Sequence, residues 1–455
     1  MNEQEFNGEI AVALDIGTTK VCAIAGCLNE YGKIEILGVG TVKSEGVSRG
    51  VVSNIDKTVR AIRDAVDIAE RNLGAKVKLV HVGIAGQHIK SLHHHGLLVR
   101  HDSNDEIGMD DVNRLIRDMY KLVLPPGDKI LHVIPQEFTV DDERDIIDPI
   151  GMSGIRLEAN FHIITGQISA SKNIMRCVEK AGLDTADVTL EPIASAASVL
   201  NDEEKEAGVA LVDIGGGTTD ITIFKDGIIR HTAVIPFGGN VITKDIREGC
   251  TVMLEQAEKL KTKFGSAMAE EIYDNRIITI PGFKGREHKE ISEKNLARII
   301  QARVEEIFDY ILWEIRRTGF ENKLIAGIVL TGGGSMLKHI NVLAEYHTGL
   351  IARVGQPIEH LAHGYSSQLA SPIYATAIGL LRTAILNKTE LAYIEKQKEE
   401  ASAGAAGAEG EVIDLGNAAD SGNNTATNPE NEKRWFNKIF TLTKEFFESA
   451  PDSEF

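Results

Sequence analysis

Several large classes of protein are excluded by what this 455-residue chain lacks. No apolar stretch reaches the roughly 18 residues that a bilayer-spanning helix needs, so nothing is expected to cross a membrane. The opening MNEQEFNGE is acidic and has no apolar core, so no signal peptide is expected. Only four cysteines occur, Cys22, Cys27, Cys177 and Cys250. They form neither a C-x-x-C pair nor a metal-ligand spacing, which leaves buried, reduced thiols of a cytosolic protein as the expectation. Positive charge is scarce: 49 Lys and Arg stand against 67 Asp and Glu, for a net charge of −18. With no basic block to offset that balance, no nucleic-acid partner is expected. What remains is a globular composition, 43% hydrophobic and 25% charged, in a length that accommodates about two to four domain-sized units.

Two glycine–threonine loops dominate what is present: DIGTTK at 15–20 and DIGGGTTD at 213–220. Each follows a run that reads as a buried strand and opens into a second one, IAVALDIGTTKVCAIAG from Ile10 and GVALVDIGGGTTDITIFKDG from Gly208. They read as one β-hairpin design used twice, the second with two extra glycines, and suggest two similar lobes facing one nucleotide. Gly17 and Gly215, Gly216 and Gly217 would let backbone N–H groups approach phosphate oxygens with no Cβ in the way. Thr18, Thr19, Thr218 and Thr219 can add hydroxyl donors. Lys20 offers a point charge. Asp15 and Asp213, repelled by phosphate, would hold Mg²⁺ through its waters, because that ion dehydrates reluctantly. The bland alternative is a pair of ordinary hairpins with Asp-Gly-type turns.

After the first hairpin YGKIEILGVG reads as a third strand, and Ile55, Val59, Ile62, Val66, Ala69 and Leu73 mark a helix beginning near Asn54. From about Ile84 to Ile163 three strand-like runs and the helical MDDVNRLIRDMYKLV suggest a compact α+β insert. Helical spacing resumes in QISASKNIMRCVEKAGL, and VTLEPIASAASVL leads to the second hairpin. IPFGGNVITKDIREG then opens another lobe. Within it Ile299, Ile300, Val304, Ile307, Phe308, Ile311, Leu312 and Ile315 form the apolar stripe of a long core-facing helix. IAGIVLTGGGSMLKHI returns as strand, glycine turn and helix, where Gly332, Gly333 and Gly334 allow a ligand close to a helix start.

Beyond about Leu391 the chain is rich in Ala, Gly, Asn and acids. It reads as a flexible linker over 391–432, with a typical reach of about 35 Å. Apolar residues return in EKRWFNKIFTLTKEFFES. Phe436, Ile439, Phe440, Phe446 and Phe447 share one helical face with Trp435 at its border, beside Lys433, Arg434, Lys438 and Lys444. Such a cationic, aromatic-rich helix at 433–448 suits an anionic membrane interface. The alternative is a helix docked on its own body or on a protein partner.

Together these motifs resemble the actin/Hsp70/sugar-kinase superfamily and, within it, the FtsA family of bacterial cell-division proteins. DIGTTK resembles the first phosphate motif, DIGGGTTD the second, and TGGGS at 331–335, ending in Ser335, the adenosine motif. LEPIASAASVL at 190–200 and PIYATAIGLL at 372–381 resemble the two helices that connect the lobes. Gly238, Gly239, Glu258 and Lys261 match further nucleotide-binding positions, and Glu191 sits where Hsp70 proteins carry a water-orienting Glu. The narrower likeness rests on the insert, with HVIPQEF at 132–138 and DPIGMSGIRLEANFHIITG at 148–166, and on the tethered C-terminal helix.

The resemblance implies an α/β, two-lobed actin-like ATPase fold with an inserted subdomain, a flexible linker and a C-terminal amphipathic helix. The first lobe would span 8–83 with 163–206 and about 365–390, and the insert 84–162. The second lobe's core would span 207–243 with 320–364, and its small subdomain 244–319. It further implies ATP and Mg²⁺ as ligands, at most slow hydrolysis, and self-assembly into actin-like protofilaments. The implied partners are the C-terminal tail of FtsZ, anionic lipids and later division proteins, at the division site on the cytoplasmic face of the inner membrane. A pilus-assembly adaptor and a small-molecule kinase of the same superfamily are the alternatives. His93, His94 and His95, with His88 and His101 nearby, invite a metal reading. Alternation along a strand, however, prevents all three consecutive residues from converging on one ion, so solvated histidines are the expectation.

Overall fold

The computed structural model describes residues 10–100, 106–281, 288–365 and 367–387. The expected linker and amphipathic helix, and His101, lie outside the described residues. Two compact units emerge: one from the described residues of 1–94, 123–131 and 162–384, the other from those of 95–122, 132–161 and 385–387. None of the described helices is long and apolar enough to cross a membrane.

The first unit is an α/β body built on two five-stranded sheets of the same topology. In the first sheet the hairpin Ala11–Ile16/Lys20–Leu28 is extended on one side by the antiparallel Ile34–Lys43. On its other side lie the parallel Leu79–Ile84 and Asp184–Leu190. In the second sheet the hairpin Val209–Ile214/Thr219–Lys225 is extended by the antiparallel Ile228–Ile235 and by the parallel Ile328–Thr331 and Ala352–Val354. The leading strand of each hairpin is central and almost wholly buried, which is why both read as continuous apolar runs rather than as alternating ones.

Registers correct one reading of the loops. Ile16 pairs with Val21 and Ile214 with Thr219, so each turn holds four residues between the last paired positions. No residues are inserted in the second turn. Thr18 and Thr19 occupy the places of Gly216 and Gly217, and Lys20 that of Thr218. Matching threonine to threonine by letter shifts the hairpins, because strand pairing sets register and the turn's composition does not.

Helix Ile55–Leu73 begins at Asn54, whose side chain accepts from Lys57 N, and stops at Gly74, whose φ is 78°. Helix Glu293–Thr318 is capped by the Ser292 hydroxyl and buries the expected stripe, except that Ile299 is only partly covered. After Ile328–Thr331 the chain makes a 3₁₀ turn at Gly333–Met336 and enters a helix only at Ile340, so the glycine turn does not itself start the helix.

The second unit contains residues 95–99, 156–161, 132–140 and 143–146 of a four-stranded sheet ordered Lys90–Val99, Arg156–Gln167, Asp128–Val140, Glu143–Ile146, together with helix Met109–Met119. Phe138, Leu157, Phe161 and Leu115 are fully buried there. A Cβ at Gly96 would lie 2.8 Å from the Phe161 ring and 3.0 Å from the Met119 methyl, so only glycine admits this packing.

Candidate functional site

Both hairpin tips border one cavity of about 650 Å³ within the first unit. The two turns abut: a Cβ at Gly216 would fall 2.1 Å from Thr19 Cγ2, and one at Gly217 would fall 2.7 Å from Thr18 Oγ1. The second turn is propped from behind by helix Gly239–Gly249, whose first N–H groups, of Gly239 and Asn240, donate to the carbonyls of Gly215 and Gly216 at 2.8 Å.

The cavity brings together most of the residues singled out in the sequence. Asp15, Gly17, Thr18, Thr19 and Lys20 line it from the first hairpin, and Asp213, Gly215, Gly216, Gly217 and Thr218 from the second. Glu191, Gly239, Glu258, Lys261, Gly332, Gly333 and Gly334 complete the wall. Thr219, Gly238 and Ser335 are not among the lining residues. The Thr219 hydroxyl donates to Phe237 O at 2.9 Å, and the Ser335 hydroxyl to Gly332 O at 2.8 Å. A Cβ at Gly238 would sit 2.3 Å from Gly215 O. These three shape the cradle from outside.

Glu258 and Lys261 form an ion pair of 2.8 Å one turn apart on helix Leu254–Phe264. The Lys261 ammonium also donates to Gly239 O at 3.0 Å and to the Thr243 hydroxyl at 2.8 Å, and that hydroxyl donates to Glu258 at 2.5 Å. The network ties the wall of the cavity to the helix that supports the second turn.

Electrostatically the cavity is acidic. Five carboxylates line it, those of Asp15, Glu191, Asp213, Asp220 and Glu258, against the ammonium groups of Lys20, Lys261 and Lys338. The Lys20 ammonium forms an ion pair with Asp15. Burial opposes the charge on Lys20, but the Asp15 carboxylate and other neighbouring anions outweigh it and hold its pKa above the usual lysine value. Burial pushes the Glu191 carboxyl well up, and the negative charges of Asp15, Asp220 and Asp213 add to the effect. Asp220 is raised well above the carboxylate range by burial and then by Asp213. Asp213 is raised by burial too, against hydroxyl hydrogen bonds that favour its ionised form.

Asp220, which closes DIGGGTTD and is not among the residues singled out in the sequence, pairs directly across the strands with Asp213. Its Oδ1 is buried with no hydrogen-bond partner. A buried, unpartnered carboxylate oxygen beside three further acids is a site that a cation would relieve. Among the described residues no three His, Cys, Asp or Glu side chains are placed to grip a metal directly. Gly50 and Ala85 also line the cavity. Gly50 N donates to Thr18 Oγ1 at 3.1 Å from a turn in which Arg49 and Gly50 have φ of 51° and 72°.

The histidine run lies elsewhere. His93 and His95 are exposed on strand Lys90–Val99 and have different neighbours. The His93 ring packs 5.2 Å from that of His162 and 6.5 Å from that of His231, while His95 meets Glu158 at 3.1 Å.

Comparison with known proteins places the chain. A family profile described as "Cell division protein FtsA" matches residues 210–379, and one described as "SHS2 domain inserted in FTSA" matches 86–165. The cell division protein FtsA of Pseudomonas aeruginosa is 40% identical over 375 residues, covering 82% of this chain and 89% of that relative. Among solved structures, the PilM–PilN type IV pilus biogenesis complex aligns with a TM-score of 0.61 at 15% identity, over 82% of this chain and 98% of that one. The MreB5 protein of Spiroplasma citri bound to ADP aligns with a TM-score of 0.53 at 15% identity, over 85% and 98%. At such identities the two structures speak for the actin-like fold alone.

Proposed function

We propose, for this chain, which belongs to the FtsA family of cell division proteins and so acts in bacterial cell division, that the cavity between the two hairpin tips binds ATP. Assembly of the protein at the membrane would then anchor FtsZ filaments. The observation that carries this reading is the meeting of two topologically identical hairpins at one cavity, with glycine turns, the Lys20 ammonium and five carboxylates around it. The glycine turns present backbone N–H groups suited to phosphate oxygens. Lys20 adds a fixed positive charge. The Gly332–Gly334 turn offers a close, flat approach for the nucleoside, opposite Glu258 and Lys261. Mg²⁺, held through water by Asp15 and Asp213 with Asp220 nearby, would neutralise the phosphates and relieve the carboxylates.

Glu191 lines the cavity and would orient a water, its pKa raised by burial and by the neighbouring acids. At most slow ATP hydrolysis is expected, and the nucleotide would act chiefly as a ligand that sets the angle between the lobes. Longitudinal self-association into actin-like protofilaments would use that angle. The subdomain at 244–319 is the expected contact for the FtsZ tail, and the segment 433–448 the expected anchor on anionic lipid at the cytoplasmic face of the inner membrane. One amphipathic helix binds weakly; a filament presenting many raises avidity without new contacts. The boundaries 8–83, 84–162, 207–243, 244–319 and 391–432 remain the working division of the chain.

Isothermal titration with ATP, with Mg²⁺ or with EDTA, tests the nucleotide reading. Binding that strengthens with Mg²⁺ is expected, and no binding in either condition would sink it. Co-sedimentation with anionic liposomes tests the anchor. Full-length protein should pellet, and the Trp435→Glu/Phe440→Glu variant should stay in the supernatant while still binding ATP. Pelleting by both would remove the helix from the account.

A further inference from the structure

Asp213 has two neighbours that the nucleotide reading does not use. Its Oδ2 accepts a hydrogen bond from the Ser195 hydroxyl at 2.8 Å and another from the Thr376 hydroxyl at 3.3 Å. The two hydroxyl oxygens are themselves 3.0 Å apart. Ser195 belongs to helix Glu191–Val199 and Thr376 to the helix at 375–387. These helices cross as closely as backbones allow: a Cβ on Gly379 would lie 1.7 Å from Ala194 O. One residue-turn away the Ser198 hydroxyl donates to Ala375 O at 2.7 Å. Ser195 is fully buried and does not line the cavity, whereas Asp213 does.

The arrangement has a direct physical consequence. A carboxylate that accepts two hydroxyl donors on one oxygen is held in one orientation, and its charged form is favoured. The two donors come from different helices, so that orientation exists only while the helices keep their crossing. We propose that Ser195 and Thr376 are positioning residues that couple a cation at Asp213 to the crossing of the two connecting helices. A change in crossing angle withdraws one hydroxyl and weakens the cation site. A cation at Asp213 in turn favours the crossing seen here, since coupling between two events is reciprocal. This deepens the nucleotide reading and rests on it.

The test is calorimetric titration of the full-length protein with ATP, in Mg²⁺ and in EDTA, for wild type, Ser195→Ala, Asp213→Asn and the double variant. The loss of a hydrogen bond to a charged group should cut the Mg²⁺-dependent gain in affinity about tenfold, with affinity in EDTA unchanged. In the Asp213→Asn background, Ser195→Ala should have no further effect, because the group it positions is gone. Hydrogen exchange at 375–387, slowed by Mg²⁺–ATP in the wild type, should lose that response in Ser195→Ala. An equal loss in EDTA and Mg²⁺, no loss at all, or full additivity with Asp213→Asn would overturn the proposal. If Ser195→Ala does not fold, Thr376→Val read against Thr376→Ser decides: only the valine variant should lose the Mg²⁺-dependent gain. A wild-type chain that binds no ATP would overturn the nucleotide reading, and this inference with it. Wild-type binding with a silent Ser195→Ala overturns this inference alone.

Discussion

The two hairpins share a backbone and differ in how each treats its aspartate. In the first, Asp15 lies across from Cys22 and is neutralised by the Lys20 ammonium. In the second, Asp213 lies across from another acid, Asp220, and is held by hydroxyl groups alone. Like charges directly opposite on a sheet repel. The first hairpin therefore carries its own counter-ion, while the second sets two acids opposite each other and supplies none. A duplicated motif has been divided into a self-neutralised half and an uncompensated half without changing strand topology.

The largest expected effect comes from breaking the neutral half. Lys20→Met leaves Asp15, nearly buried, without a counter-ion among three other acids, and should destabilise the nucleotide-free protein by about 3–5 kcal/mol, read by urea unfolding. Added Mg²⁺ should recover part of that loss; no destabilisation would mean that Asp15 gains nothing from its pair. The next effect separates the turns. Gly216→Ala drives a methyl into Thr19, and should cost about 1–3 kcal/mol, read by the same urea unfolding. Gly17→Ala meets Lys20 O at 3.0 Å and should cost about 1 kcal/mol or less. Equal losses would show that the turns are not differently packed.

A smaller effect, of opposite sign, belongs to the unsettled half. Asp220→Asn removes a repelled, buried charge and should raise the stability of the nucleotide-free protein by about 1 kcal/mol, while reducing its response to Mg²⁺. The pH dependence follows from the direction of the shift. Because Asp220's folded pKa lies above its unfolded value, its contribution is fully present below the unfolded pKa and is lost as pH rises through the folded one. Melting temperatures of Asp220→Asn should lack that decline. The smallest effect is a control outside the hairpins. Burial, then Arg382, Lys33 and Lys205, depress the His360 pKa to about 4. Its contribution is present above the unfolded value of about 6.5 and is lost as pH falls toward 4. His360→Asn should flatten the acid side of the profile by about 1 kcal/mol or less and leave the Mg²⁺ response untouched.

Much of this was legible in the residues. Asn54 and the face from Ile55 to Leu73 announced helix Ile55–Leu73, and the stripe from Ile300 to Ile315 announced the long helix Glu293–Thr318, because caps and 3.6-residue spacing are local signals. The two Asp-Ile-Gly starts announced the hairpins. The equal length of their turns was not legible, since the threonine letters suggested a false alignment that only strand register could correct. Asp220 was visible but lacked meaning until its pairing with Asp213 was known. Ser195 and Thr376 carried no signal, for their hydroxyls meet across a separation of 181 residues.

The sequence by itself determined the elements and their duplication, because apolar runs, glycines and caps act over a few residues. It also determined the acidic balance that argues against nucleic acid as a partner. Only the tertiary structure decided which acids share the cavity, which of them has a counter-ion and which is held by two helices at their crossing. Those outcomes depend on burial and on distances of a few ångströms between segments far apart in the chain, and both the cost of a charge and the strength of its pairing are set by that environment.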